Sequence, residues 1–132
     1  MAEKNFFSSR LTAAEMRAAL ANEQASADAV LAKAGKLSAA SRMAALFDEG
    51  TFVEIGAYLK RVDSHDTYDG VICGYGSVSG KLAFAFVQDS DRTKGAFGEG
   101  GARKIEMLYD MAIKNGAPVV GVFDSAGAVV LD

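Results

Sequence analysis

The spacing of apolar residues changes along the chain and divides it into a helical first part and a mixed second part. Apolar residues recur at roughly helical intervals from Met16 to Leu31, and Gly35 is a natural end for this first helix. Thr12 and Glu15 have the spacing of a capping box, in which each side chain accepts a backbone hydrogen bond at the helix start. The pattern therefore predicts a helix that begins just after Thr12.

A second helix is predicted from about Ser38 to Gly50. Its apolar face is predicted to hold Met43, Leu46 and Phe47. Such amphipathic helices are typical of elements that cover a core or a neighbouring subunit. The acidic pair Asp48 and Glu49 falls at the C-terminal end of this helix, where the helix dipole favours cations and disfavours carboxylates.

Beyond this helix the apolar residues follow the shorter period of β-strands. Residues 52–55 predict a short strand that residues 58–62 extend, and the polar residues 64–69 predict a loop. Two longer strands are then predicted over residues 71–78 and 81–87. Ser79 and Gly80 form a plausible tight turn between them, so these two strands form a hairpin.

A third helix is predicted from Glu99 to Asn115, followed by Gly116 as its C-cap. Residues 119–123 form a continuous apolar run, which is typical of a strand covered on both faces. Cys73 lies within the first hairpin strand and is most simply a small buried apolar residue. The order hairpin, helix, strand predicts an α/β fold rather than a helix bundle.

Composition supports this division and excludes several classes of protein. The first 45 residues are rich in alanine, the best helix former, and most of the 14 glycines follow residue 69. A net charge of -3 argues against a general nucleic-acid binder, which needs clustered cations. The apolar runs are too short for a membrane span, so we expect a soluble, cytoplasmic protein.

The side-chain inventory is poor in groups that usually carry chemistry. One histidine and one cysteine cannot form a Cys/His metal site, and one cysteine cannot form an internal disulfide, so no metal site is predicted. Residues 64–66 are Ser, His and Asp, but three adjacent positions on one loop cannot form a catalytic triad by themselves.

Two glycine-rich segments remain as candidates. Residues 95–101 precede the third helix, where free N–H groups either meet an anion or simply allow a close turn. Residues 124–128 follow the apolar strand, at the sheet edge where α/β proteins usually bind ligands. Consecutive N–H groups there can stabilise an oxyanion, although an ordinary strand-to-loop turn explains the same residues.

Four stretches together carry a resemblance to a known family. They are AALFDEGTFVE (residues 44–54), DGVICGYG (69–76), AFAFVQD (83–89) and GAPVVGVFDS (116–125). In this order they resemble the N-terminal part of the carboxyltransferase (β) subunits of biotin-dependent acyl-CoA carboxylases. The related sodium-pumping acyl-CoA decarboxylases share the same pattern.

The resemblance implies a partial crotonase-like (ClpP/crotonase) superhelix of β-β-α units, assembled into trimers or larger rings. Residues 1–50 would form a helical N-terminal arm, and residues 51–132 the N-terminal part of an incomplete carboxyltransferase domain. Because the family continues through a second domain, the chain is expected to be a fragment, a split subunit completed by another chain, or a degenerate relative.

The implied reaction moves a carboxyl group between carboxybiotin and the α-carbon of an acyl-CoA. Backbone amides hold the enolate oxygen, and the biotin nitrogen takes the proton. The implied partners are the acyl-CoA substrate, a biotin carboxyl carrier, biotin carboxylase subunits and the remaining carboxyltransferase chain. The biotin belongs to the carrier, and none is expected to bind this chain directly. Two alternatives are a non-catalytic assembly subunit and a piece of a sodium-pumping decarboxylase.

The resemblance also assigns site residues. The turn Asp-Ser-Gly-Gly-Ala-Arg of the family aligns with residues 124–129, which makes the backbone amides of Ala126, Gly127 and Ala128 the expected oxyanion donors. The expected CoA-binding residues are Gly95, Gly98 and Ser125. Ala126 and Val129 depart from the family pattern. The alanine restricts positive φ angles, and the valine lacks the hydrogen-bonding fork of an arginine.

Overall fold

The computed structural model describes residues 12–59, 69–91, 93–96 and 98–127. Within these residues the helices are α1 (Ala13–Lys33), α2 (Ala39–Leu46) and α3 (Glu99–Asn115). The strands are β1 (Val53–Ile55), β2 (Val71–Val78), β3 (Lys81–Gln88) and β4 (Val119–Val122), with a short 3₁₀ turn at Thr93–Gly95. The order of elements is the one that the apolar pattern predicts.

Both ends of α1 are fixed by local hydrogen bonds. The predicted capping box is confirmed: the Thr12 hydroxyl accepts the Glu15 N–H at 3.2 Å, and the Glu15 carboxylate accepts the Thr12 N–H at 2.6 Å. At the other end Gly35 adopts a φ of 70°, and the Lys36 N–H donates to the Leu31 carbonyl at 2.9 Å. This Schellman arrangement fixes the position of Lys36 relative to the helix.

Helix α2 begins as predicted but ends at Leu46 rather than at Gly50. Its N-cap is Ser38, whose hydroxyl accepts the N–H of Ser41 at 3.1 Å. Asp48 therefore lies beyond the helix, and the predicted clash with the helix dipole does not arise. Its carboxylate instead accepts the N–H groups of Ser79 and Gly80 at 3.0 and 2.9 Å. Asp48 thus ties the end of α2 to the hairpin turn.

The four strands form one mixed sheet in the order β1-β2-β3-β4. The first two pairings are antiparallel, and β3 pairs with β4 in parallel. The predicted hairpin is confirmed: Val78 pairs with Lys81, and the turn residues Ser79 and Gly80 have φ angles of 50° and 76°. Two successive positive φ angles give the turn that matches the strand twist.

Strand β1 is shorter than predicted. It ends at Ile55 because Gly56 turns the chain with a φ of 67°, so Tyr58 and Leu59 lie outside the strand. The rest of the predicted extension, residues 60–62, lies outside the described residues. Residues 64–68 of the predicted loop also lie outside the described residues.

The sheet is covered on both faces by helices. On one face α2 contributes Ala39 and Met43, and Phe47 follows the helix directly. They pack against β2 and β3 in a cluster with Ile72, Ala83, Ala85 and Val87. On the other face α3 contributes Leu108 and Ala112, whose cluster also holds Val71, Cys73, Phe84 and Phe86. Both faces of β2 and β3 are therefore buried, as alternate residues point to opposite clusters.

Strand β4 is less covered than its apolar sequence predicts. Val120 and Val122 pack against the cluster on the α2 side and Val119 against the one on the α3 side, but all three are only partly buried. Phe123, directly after the strand, has 75% of its surface exposed. The reason is positional, because within the described residues β4 is the edge strand and pairs with β3 alone. Among all the residues that the structure describes, no helix is long and apolar enough to cross a bilayer.

Candidate active site

The two glycine-rich segments singled out in the sequence meet at the carboxyl ends of β3 and β4. The 3₁₀ turn at Thr93–Gly95 lies against the turn formed by residues 124–127. The amide of Ala126 donates to the carbonyl of Lys94 at 3.0 Å. Parallel neighbouring strands end at the same edge of the sheet, so their following loops are adjacent, which is why the pair forms here.

Gly95 allows the close approach of these two loops. Its φ of 67° follows the left-handed Lys94, whose φ is 53°. A Cβ atom added at Gly95 would collide with the carbonyl oxygen of Asp124 and approach the Cα of Ser125 at 3.2 Å. Glycine is thus required at this position for both conformation and space. Gly98 lies further along, as the N-cap of α3, and no side chain caps the helix there.

The turn after β4 is exposed and is held partly by its own atoms. The Ser125 hydroxyl accepts the N–H of Gly127 at 3.0 Å and donates to the carbonyl of the same residue at 3.1 Å. Gly127 has a φ of 125°, which glycine tolerates. Ser125, Ala126 and Gly127 are all exposed. Ala128, the third expected oxyanion donor, lies outside the described residues.

The amides of Ala126 and Gly127 therefore differ in how easily an incoming oxygen can use them. The Gly127 N–H is bound by a hydroxyl that can rotate about a single side-chain bond, so a ligand oxygen can replace it with little rearrangement. The Ala126 N–H is bound to a backbone carbonyl, and freeing it requires a shift between two loops. Its present role is to join the turn to the loop that contains Gly95.

Asp124 anchors this turn to the rest of the molecule. Its amide donates to the side-chain oxygen of the buried Gln88 at 3.0 Å. Its carboxylate lies 3.2 Å from the ammonium of Lys36 and 3.0 Å from the guanidinium of Arg42. The hydrogen bond from Lys36, and after it that from Arg42, lowers the pKa of Asp124 below its usual value. Sequence reasoning missed both cations, because their separation from Asp124 along the chain leaves no local signal.

A second ionic group lies in the core under α3. The ammonium of Lys104 is 2.7 Å from Oδ2 of Asp69 and donates to the Val71 carbonyl at 2.8 Å. Oδ1 of Asp69 accepts the Val71 N–H at 2.9 Å.

Burial of the neighbouring Cys73 raises the pKa of its thiol to about 12, so the thiol is neutral. The prediction that Cys73 is a small buried residue is confirmed.

The structure bears on metal ligation only within the described residues and does not bear on the Ser, His and Asp of residues 64–66. The described residues contain no group of three or more His, Cys, Asp or Glu side chains that could hold a metal ion. The Ser, His and Asp at residues 64–66 lie outside the described residues. The turn after β4 offers backbone amides and the hydroxyl of Ser125, and the cationic side chains of Lys36 and Arg42 lie beside Asp124 at its start.

The sequence matches the family model described as the carboxyl transferase domain over residues 31–131. The chain is 48% identical over 101 residues to methylmalonyl-CoA decarboxylase subunit alpha of Propionigenium modestum, an alignment that covers 71% of this chain and 20% of the relative. It is 39% identical over 103 residues to the propionyl-CoA carboxylase beta chain of Cereibacter sphaeroides, which covers 73% and 20% respectively. The chain thus spans about a fifth of the length of these curated relatives.

Solved structures agree with the sequence matches. The transcarboxylase 12S structure with methylmalonyl-coenzyme A and methylmalonic acid bound superposes with a TM-score of 0.76 at 25% identity, covering 92% of this chain and 26% of that one. The beta subunit of P. aeruginosa geranyl-CoA carboxylase gives 0.74 at 26% identity, covering 89% and 23%. The resemblance seen in the four sequence stretches is confirmed, and so is the crotonase-like α/β fold.

Proposed function

The chain belongs to the carboxyl transferase domain family, and from this premise we propose that it forms part of the active site of a biotin-dependent acyl-CoA carboxyltransferase. The substrate would be an acyl-CoA thioester, and biotin, carried by a partner, would supply the carboxyl group. One observation supports this proposal most directly. The glycine loop at Gly95 and the turn 124–127 lie together at the carboxyl edge of the parallel strands, where a thioester can approach backbone amides.

The reaction needs stabilisation of an enolate. Carboxybiotin on its carrier would supply the carboxyl group, with its C–N bond breaking as a C–C bond forms at the α-carbon of the acyl-CoA, and its ring nitrogen would take up the α-proton. The part proposed for this chain is to hold the thioester oxygen through backbone amides. The negative charge that develops on the thioester oxygen needs pre-oriented hydrogen-bond donors.

Backbone amides of the turn would supply these donors. In the proposal Gly127 donates first, because the Ser125 hydroxyl can swing away and release its N–H. Ala126 and Ala128 are the other proposed donors. Gly95, Gly98 and Ser125 are the residues proposed to lie along the path of the CoA moiety, and Gly95 also makes room for the Asp124 carbonyl that brings the two loops together.

Carboxylation and decarboxylation are the same transfer in opposite directions. The chain is similar to subunits of both kinds of enzyme, with 48% and 40% identity to two methylmalonyl-CoA decarboxylase alpha subunits and 39% to a propionyl-CoA carboxylase beta chain, so a piece of a sodium-pumping decarboxylase is the second candidate. The proposed partners are a biotin carboxyl carrier, the remaining carboxyltransferase chain, and in the carboxylase case biotin carboxylase subunits. We further propose an oligomeric assembly in the cytoplasm.

The domain division also remains a proposal, with residues 1–50 as a helical arm and residues 51–132 as the beginning of the carboxyltransferase domain. The second helix of this arm, α2, packs directly on the sheet. The arm and the domain would accordingly share one hydrophobic core.

The decisive experiment measures carboxyl transfer with the protein purified together with the subunits that copurify with it. Propionyl-CoA and carboxybiotin labelled in the carboxyl group are mixed with the preparation, and acid-stable label in methylmalonyl-CoA is counted. The reverse reaction starts from methylmalonyl-CoA and free biotin. We expect transfer in both directions, and the ratio of the two rates identifies the favoured one.

A matched substrate control uses pivaloyl-CoA, whose α-carbon carries no hydrogen and cannot form an enolate. It should give no acid-stable label. A preparation that copurifies with carboxylase subunits but transfers no label to propionyl-CoA would contradict the enzymatic proposal and favour a non-catalytic assembly role.

A further inference from the structure

Asp124 is fixed on three sides at the point where β4 passes into the candidate site. Its amide donates to Gln88, its carbonyl oxygen occupies the space that a Cβ atom at Gly95 would take, and its carboxylate lies between Lys36 and Arg42. The first two contacts come from β3 and the loop that follows it. The third comes from the helices at the beginning of the chain and connects them to the turn.

The two cations are held in place before they meet Asp124. Lys36 follows α1 directly, in the Schellman arrangement made possible by the positive φ of Gly35. Arg42 lies in α2, and its N–H donates to the carbonyl of the N-cap Ser38 at 2.9 Å. The helix that carries Arg42 is anchored by Met43, which is buried in the core. The backbone positions from which the two side chains reach the carboxylate are therefore fixed by local hydrogen bonds and by the core.

The contributions of the two cations are unequal. The side chain of Lys36 is 50% exposed, whereas that of Arg42 is 24% exposed and that of Asp124 is 21% exposed. Water screens the exposed pair more strongly, and a flexible lysine loses more freedom on pairing. The Arg42 contact is thus the shorter and less exposed of the two, whereas the hydrogen bond from Lys36 has the larger effect on the pKa of Asp124.

We propose that Arg42, assisted by Lys36, is a positioning residue that holds the turn 124–127 through the carboxylate of Asp124, so that its amides point at the reacting thioester. This inference rests on the proposed function as far as its catalytic consequence is concerned. Within the turn the Ala126 amide is held by the Lys94 carbonyl and the Gly127 amide by the Ser125 hydroxyl, and the contacts of Asp124 fix the residue from which the turn starts. Small displacements of pre-oriented donors lower the rate of the chemical step more than they weaken substrate binding.

The first test measures the mobility of the turn and does not depend on activity. Amide hydrogen exchange of a peptide spanning residues 124–127 is followed by mass spectrometry in the copurified assembly. In Arg42→Ala and Asp124→Asn exchange should be at least about tenfold faster than in the unmodified protein. Arg17→Ala, which removes an exposed arginine of α1, is the matched control and should leave exchange unchanged. Unchanged exchange in Arg42→Ala would overturn the proposal.

The second test measures carboxyl transfer. Arg42→Ala should lower kcat by about tenfold or more while the KM for acyl-CoA changes by less than about threefold. Arg42→Lys should recover a large part of the lost kcat, because it restores a cation beside Asp124. A merely structural role predicts a lower melting temperature with normal kcat in the folded fraction, and that result would overturn the positioning role.

The two proposals fail in different ways. If the unmodified protein transfers no carboxyl group, the proposed function fails, and the exchange experiment alone decides whether Arg42 holds the turn. If transfer is normal in Arg42→Ala and exchange is also normal, the positioning role fails while the proposed function stands.

Discussion

The ammonium of Lys104 lies 2.7 Å from the carboxylate of Asp69, and the two side chains are only 2% and 4% exposed. Removing one partner of a buried ion pair is costly, because the remaining charge is left in the core without compensation. We expect Lys104→Met to lower the free energy of unfolding by about 3 to 5 kcal/mol, because it leaves the Asp69 charge buried without its counter-ion. Urea denaturation followed by circular dichroism measures the change.

The matched control for this pair is Lys114→Met, an exposed lysine in the last turn of the same helix, α3. It should cost less than about 1 kcal/mol. The double variant Asp69→Asn, Lys104→Met should cost less than the sum of the two single changes, since it removes both charges. An additive result would contradict the coupling between them.

Gly95→Ala is expected to lower carboxyl transfer more than Gly50→Ala, the equivalent change at a glycine with open space around it. At Gly95 the added methyl group meets the carbonyl of Asp124, whereas at Gly50, with a φ of 71°, nothing lies within 4 Å. Both variants pay about 1 to 2 kcal/mol for an alanine in the left-handed region, but only Gly95→Ala must also push two loops apart. We expect carboxyl transfer to fall sharply in Gly95→Ala and to persist in Gly50→Ala. Equal activities in the folded fractions would argue against a tight contact between these loops.

The carboxylate of Asp48 should make stability depend on pH. Its pKa is lowered, most strongly by the hydrogen bond from the Gly80 amide. A carboxyl group with a lowered folded pKa contributes stability that is present above its unfolded pKa, about 3.9, and is lost as the pH falls through the folded value. Asp48→Asn should therefore lower the melting temperature at pH 7, and the difference should shrink towards pH 2.

Asp110→Asn, at an exposed position of α3, is the control for that series. Its melting temperature should follow that of the unmodified protein at both pH values. If Asp48→Asn shows the same difference at pH 2 as at pH 7, the contribution of its ionised carboxylate is refuted.

Cys73 should be unreactive in the folded protein. Burial raises the pKa of its thiol to about 12, and the thiolate is the reactive form. Ellman's reagent at pH 8 should label the protein slowly in buffer and rapidly in concentrated urea. Rapid labelling in buffer would mean that the core between α3 and the sheet opens readily.

Local patterns predicted most of the elements because local forces determine them. The capping box at Thr12, the N-cap at Ser38 and the hairpin turn at Ser79 and Gly80 depend on residues at most a few positions apart. The predicted end of α2 is wrong because Asp48 accepts hydrogen bonds from a turn that is distant in the sequence. Helical periodicity gives no sign of such a partner.

The sequence predicts the glycines of the candidate site but not the side-chain contacts that hold its turn in place. Gly95 and the turn 124–127 could be singled out because small residues beside a strand end are visible in the sequence. The binding of Asp124 by Lys36 and Arg42 could not, since it depends on how three separate elements pack. Strand β4 is only partly buried because β3 is its one strand partner among the described residues, and an apolar run does not reveal how many neighbours a strand has.

The contacts of Asp124 also have a consequence for the order of folding. The β2–β3 hairpin pairs residues close in sequence, while the carboxylate of Asp124 meets partners 82 and 88 positions earlier. Closing so long a loop costs more chain entropy than closing a hairpin, so we expect the hairpin to form early and the ionic contacts late. During synthesis Lys36 and Arg42 can pair with Asp124 only after residue 124 has left the ribosome, whereas α2 can already pack on β2 and β3. The ionic contacts that hold the turn therefore form after the hairpin that lies beside it.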